Sequence, residues 1–325
     1  MTLRLLPAVI AVALFAAGCT SDGEAQPSPA PTGTTGDAST FAAQVASSDL
    51  AADSAEPVQV GVFSSTDEAG VQLLSFGEIA VEFSYLGADG GQTPQAGPST
   101  TAGFVAAPGD EADADVDGPT LTNPADVAGV YITPELTFPD AGIWNATITA
   151  SVDDGDPLTL ESAFNVYPEH RIPAPGDEAL ATESLTIDSK APAVAIDSRA
   201  HDGAEVPDPE LHDATIAETI RGGTPLLLQF ATPVYCTSNF CGPTVEAQEE
   251  LAQEYGDVAE FIHVEIWRNF DDSIVNEAAA DWLLRDGDLT EPWLYLIDGD
   301  GMIVDRWGPL FDLDDVRASL DALGA

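Results

Sequence analysis

Apolar positions along this chain keep three different rhythms. Leu5 to Ala17 is a continuous apolar run. It is too short to span a bilayer and has the anatomy of a secretory signal. From Pro57 to Pro168 the rhythm is period two: Ile79, Val81, Phe83 and Tyr85 alternate in GEIAVEFSYL, and Trp144, Ala146, Ile148, Ala150 and Val152 in WNATITASV. Short alternating runs between Gly, Pro and Asp turns predict a β-sandwich. Beyond residue 207 the rhythm changes again. Thr215-Ile-Ala-Glu218 is a capping box opening a short helix that Gly222-Gly223 ends. PLLLQFA reads as a buried strand, EAQEELAQEYG as an amphipathic helix and FIHVEIW as a second strand. SIVNEAAADWLLRDG reads as a helix, LYLI and MIVDRW as a hairpin, and DLDDVRASLDAL as a closing helix. The predicted order is β-α-β-α-β-β-α.

The ending Ala16-Ala17-Gly18-Cys19 resembles a lipobox, although Ala16 stands where that signal prefers Leu. The resemblance implies a signal peptide over 1–18 and a lipid on Cys19, placing the protein on the extracytoplasmic face of a cell membrane. Firm anchoring needs more than one acyl chain. An ordinary cleaved signal with an incidental cysteine is the alternative. Residues 19–56, rich in Ser, Thr, Pro, Gly, Ala and Asp up to about Glu56, predict a disordered tether. Residues 57–168 then form the sandwich, 169–206 a linker rich in Pro, Ala, Asp and Glu, and 207–325 the last domain. FPDAGIWNATITA resembles the penultimate strands of immunoglobulin-like modules, which implies a spacer or docking role for 57–168.

Charge narrows the partners. Nine basic residues stand against 56 acidic ones, for a net charge of −47. Such a surface rejects nucleic acid and anionic headgroups, and salt would relieve its self-repulsion. The acidity fits a salty habitat or simply a lysine-poor proteome. DADVDG at 113–118 spaces carboxylates like a calcium loop, but the twelfth position is Pro124, so it reads as a solvated acidic loop. Asn145-Ala146-Thr147 is a glycosylation sequon inside a predicted strand.

With Cys19 set aside, Cys236 and Cys241 are an even pair in a compartment where disulfides persist. Their five-residue spacing spans about 500° on a continuous helix, whereas a disulfide needs Cα atoms within roughly 7 Å. Cys236 is therefore expected in a loop, with the helix starting at Cys241-Gly242-Pro243.

Three features of 207–325 resemble the thioredoxin-like superfamily. The apolar strand LLLQFATP runs into Tyr235-Cys236; Thr290-Glu291-Pro292 precedes a strand; LYLIDGDGMIVDRWGP matches the family's final hairpin. The resemblance implies an α/β thioredoxin-like fold, with Pro292 in a cis peptide facing the cysteines. It further implies Cys236 as attacking and Cys241 as resolving thiol. A sulfur at a helix N-terminus is favoured as thiolate, the form that attacks disulfides. Three positions depart from the family. Gln229 stands where the proton-transferring acid belongs, Tyr235 replaces Trp, and Glu291 brings a carboxylate toward the pair, which would raise the thiol pKa.

The fold class expected is therefore multidomain, an all-β immunoglobulin-like sandwich followed by an α/β thioredoxin-like domain. The leading functional reading is a thiol–disulfide oxidoreductase acting on thiols or disulfides of other extracytoplasmic proteins. A non-catalytic adaptor with a structural disulfide is the main alternative. A peroxiredoxin-like peroxidase is weaker, since Pro233 replaces its Thr and its arginine is missing near Glu291-Pro292-Trp293. Copper delivery needs CxxxC and a nearby histidine; no histidine follows His263, which reads as a packed or surface side chain in a strand. Two cysteines without nearby histidines do not make a zinc site. No nucleotide, flavin or haem signature is present, so no cofactor is expected.

Overall fold

The computed structural model describes residues 34–36, 39–66, 69–110, 116, 118–153, 155–236, 238 and 240–324. The signal peptide, Cys19 and most of the DADVDG loop lie outside them. The first thirteen strands are β1 (Thr34–Gly36), β2 (Ser39–Val45), β3 (Leu50–Ala51), β4 (Ala55–Glu56), β5 (Gln59–Thr66), β6 (Gly70–Ser75), β7 (Glu78–Gly87), β8 (Gln95–Ala106), β9 (Thr120–Thr122), β10 (Gly129–Ile132), β11 (Leu136–Thr137), β12 (Gly142–Ala150) and β13 (Leu158–Tyr167). Eleven of them make one sheet, ordered β1-β2-β5-β10-β8-β7-β12-β13-β3, with β6 attached to β5 and β9 to β6. The sheet is mixed because β3 runs parallel to β13 while its other pairings are antiparallel.

The expected class of separate immunoglobulin-like sandwich and α/β thioredoxin-like domain is corrected by this architecture. The molecule is mostly β, 39% strand against 19% helix, and its dominant feature is a curled nine-strand half-barrel. Period-two alternation reports that each strand is half buried, but not whether the strands form two flat sheets or one bent sheet. Here the ladder slips between Ile143 and Trp144 and between Glu82 and Ser84. Such bulges bend a sheet and increase its twist. The concave face then closes on itself over Val60, Val62, Val81, Phe83, Trp144, Ile148 and Leu160. Phe138 sits at the centre, edge-on to Phe83, Trp144 and Phe164.

The tether expected over 19–56 is also corrected where it is described. Thr34–Gly36, Ser39–Val45, Leu50–Ala51 and Ala55–Glu56 are strand, and Ala43, Val45, Leu50 and Ala51 are buried. The composition is polar on average, but the few apolar residues of 41–51 fall at sheet-facing positions. Residues 169–206 likewise pack as structure. Gly176 and Ala179 donate to the carbonyls of Ile303 and Gly301, and Ile303 donates back to Asp177. Ala195, Ile196 and Asp197 are buried.

The C-terminal part begins with helix α1 (Ile216–Gly222), capped by Thr215 and Glu218 and ended by Gly223 at φ 72°. Strand β14 (Leu226–Ala231) follows, then α2 (Cys241–Tyr255), β15 (Glu260–Glu265), β16 (Trp267–Asn269), β17 (Ile274–Val275), α3 (Glu277–Leu283), β18 (Trp293–Ile297), β19 (Ile303–Trp307) and α4 (Leu313–Leu323). A four-stranded sheet orders them β15-β14-β18-β19. All six residues of β14 are buried, the signature of a central strand covered on both faces. The helix expected over SIVNEAAADWLLRDG is short, because Ile274–Val275 pairs with β16 instead.

Buried polar contacts join this sheet to the half-barrel. The Arg306 guanidinium donates to Asp49 Oδ2 and Glu56 Oε1, each at 2.8 Å. Gln59 and Leu310 exchange two hydrogen bonds.

Candidate functional site

The site is built where β14 ends. Thr232, Pro233, Val234 and Tyr235 turn the chain out of the sheet, and Cys236 N–H donates to Thr232 O. Helix α2 begins at Cys241. Cys236 therefore sits in a loop and Cys241 at a helix start, with Cα atoms 6.0 Å apart, and the two form a disulfide. The two sulfurs differ in access: Cys241 is fully buried against Ala231 and Val245, while Cys236 is half buried. An approaching thiolate meets Cys236 first.

Glu291 closes the site from the other side. The Glu291–Pro292 peptide is cis, and the Glu291 carboxyl touches Cys241 Sγ. A disulfide sulfur has no proton to give, so this contact is a hydrogen bond only when Glu291 itself is protonated. The surroundings favour that state. Burial, reinforced by the Glu265 carboxylate, pushes the Glu291 pKa up to about 7. Burial also raises Glu265, which accepts hydrogen bonds from the Ser198 and Trp267 N–H groups at 2.8 and 3.1 Å.

Gln229 lies on the same face of β14 as Ala231, fully buried, and among the described residues its amide atoms have no hydrogen-bond partner. It offers no proton acceptor; the carboxyl at the pair comes from Glu291 instead. Tyr235 stacks on Phe270 with ring centroids 4.1 Å apart. With Val234 and Phe270 more than 40% exposed, it makes an apolar shelf beside Cys236.

A cleft of about 630 Å³ lies between the half-barrel and the disulfide loop. Phe63, Val71 and Leu73 line one wall, and Phe240, Glu291 and Trp293 the other. The sequence brought out both cysteines, Glu291 and Pro292. It did not bring out Glu265, which reads as one more residue of a strand. A carboxylate in a strand that, His263 apart, is otherwise apolar is the signal it leaves in FIHVEIW.

The chain matches no protein-family model and no curated protein.

Proposed function

We propose that this protein is a thiol–disulfide oxidoreductase whose working couple is Cys236 and Cys241. The observation that supports it most is the protonatable Glu291 carboxyl held against the buried sulfur of a disulfide whose other sulfur is open to attack. In the reductive direction, a Cys236 thiolate attacks a disulfide of another polypeptide. A mixed disulfide forms and one partner thiolate leaves. Glu291, as carboxylate, takes the Cys241 proton; the Cys241 thiolate attacks Cys236 Sγ and expels the second partner thiolate. Two electrons pass to the partner, and the protein is left as the observed disulfide with Glu291 protonated. Oxidation of a partner dithiol is the same sequence reversed.

The substrates in this reading are extracytoplasmic proteins, met at the apolar shelf and the cleft, with the protein held at a membrane by lipid on Cys19. The local resemblance of Tyr235-Cys236 and Glu291-Pro292 to thioredoxin-like sites adds to it.

The test is the reduction potential of the couple together with trapping by a Cys241→Ser variant. A potential of roughly −120 to −270 mV is the range of exchange catalysts, while structural disulfides lie below about −300 mV. We expect a value in the former range and a stable mixed disulfide on Cys236 of the variant. A potential below the structural limit, with Cys236 unreachable without denaturant, would make the pair a staple and the protein a binding adaptor.

A further inference from the structure

We propose that Asp197, His212 and His263 form a site for a divalent transition metal, filled by zinc. Three separated segments meet here: Asp197 follows a 3-10 turn at Ala193–Ala195, His212 follows another at Pro209–Leu211, and His263 lies in β15. All three side chains are fully buried. His212 Nε2 and His263 Nδ1 approach Asp197 Oδ2 at 3.5 and 3.4 Å, and the three donor atoms lie within 4.8 Å of one another. Those separations are long for hydrogen bonds. They match the spacing of about 3.3 Å between donors each about 2.0–2.1 Å from one tetrahedral zinc.

The hydrogen-bond pattern makes the case. His263 Nε2 donates to the Ala231 carbonyl at 3.1 Å. In a neutral ring its Nδ1 is then a bare lone pair facing a carboxylate oxygen, and two acceptors do not face each other without a cation between them. Among the described residues neither ring nitrogen of His212 has a hydrogen-bond partner, nor does His263 Nδ1. Buried polar atoms left this way call for an explanation. A metal would take the lone pairs of His212 Nε2 and His263 Nδ1 at once, leaving only His212 Nδ1 without a partner, and the His263–Ala231 bond is the outer contact that commonly fixes a ligating imidazole. Two imidazoles and one carboxylate suit zinc.

Charge agrees. Arg199 donates to both Asp197 oxygens and pairs with Asp208 at 2.7 Å. Two carboxylates against one guanidinium leave a negative excess for a cation. The neighbouring Ser198 Oγ accepts from the Val234 N–H at 3.1 Å, so a metal on Asp197 would brace the turn leading to Cys236.

The test uses the full chain with its disulfide oxidised, so that the cysteines offer no thiolate, in buffer salty enough to suppress binding by surface carboxylates. Zinc chloride and then cobalt(II) chloride are titrated into the metal-stripped protein. We expect one tight equivalent, an intense tetrahedral cobalt spectrum, and zinc absorption-edge spectra with nitrogen and oxygen neighbours alone. His212→Asn and His263→Asn should each weaken zinc at least tenfold, and His201→Asn, at an exposed histidine, should not. If a variant fails to fold, the cobalt and zinc spectra of the wild-type chain decide alone. Weak, octahedral or many-site binding, binding indifferent to both histidines, or a doubly protonated His263 ring in ¹⁵N spectra of the zinc-treated protein would overturn the site. None of these readouts depends on thiol exchange.

Discussion

Glu291 is where a single side chain decides most. Folded, it keeps its proton up to about pH 7; at its ordinary value of 4.5 it would lose that proton much earlier. The folded state therefore binds more protons between those values. Its contribution to stability is fully present below pH 4.5 and is lost as pH rises toward and through 7. Glu291→Gln removes that slope. Thermal unfolding should show variant and wild type alike near pH 4 and the variant more stable at pH 8, by on the order of 3 kcal/mol. Exchange should move the other way. Without a base beside Cys241, resolution of the mixed disulfide at pH 8 should slow about a hundredfold, as stopped-flow release of the partner thiol would show. Gains in stability and losses in turnover from one substitution would identify a residue kept for chemistry at a structural cost.

Among the elements, α1 shows how a local signal becomes local structure. Its start and stop stand in the sequence as Thr215, Glu218 and Gly223, and the helix runs from Ile216 to Gly222 with both capping-box bonds made. Thr215→Ala should cost about 1 kcal/mol in chemical denaturation, and Thr215→Ser should restore most of it. Other strands and helices were legible for the same reason: Leu226–Ala231, Glu260–Glu265 and Leu313–Leu323 announce themselves by runs or periods a few residues long. What was not legible depends on residues far apart. The parallel pairing of Leu50 with Val166 and the ladder slip at Trp144 decide that the half-barrel is one curled sheet, and neither leaves a local mark. The candidate site divides the same way. Its cysteines, Glu291 and Pro292 sit in recognisable local contexts, whereas Glu265 and the Asp197–His212–His263 cluster exist only through tertiary contact. Asp197 was hidden further by lying in a stretch whose composition resembles a linker.

For the molecule as a whole, the decisive contact is Arg306. Its side chain is 3% exposed, and it serves Asp49, Glu56, the Asp49 and Pro173 carbonyls and the His170 ring. It also lies over the Trp293 ring, 5.0 Å from its centroid. Arg306→Ala would leave the buried Asp49 carboxylate without its cation, a loss of about 3–5 kcal/mol. Denaturant titration should show it, and the unfolding transitions of half-barrel and C-terminal sheet, followed by separate probes, should move together. An Arg306→Met change paired with Asp49→Leu should recover much of the loss, because the penalty lies in the stranded charge more than in the missing attraction.

The distance along the chain between these partners also sets an order of events. Asp49 and Arg306 are 257 residues apart, and Gln59 and Leu310 are 251 apart. On a ribosome, the first strands of the half-barrel leave the tunnel long before the strand that neutralises their buried carboxylates has been made. Even the edge strand at Leu50 must wait for Val166. Contacts of such long range are slow to form, and the surface left open meanwhile invites misassembly. The large negative charge offers one remedy during that interval, since two growing chains repel each other while each waits for its own last strand.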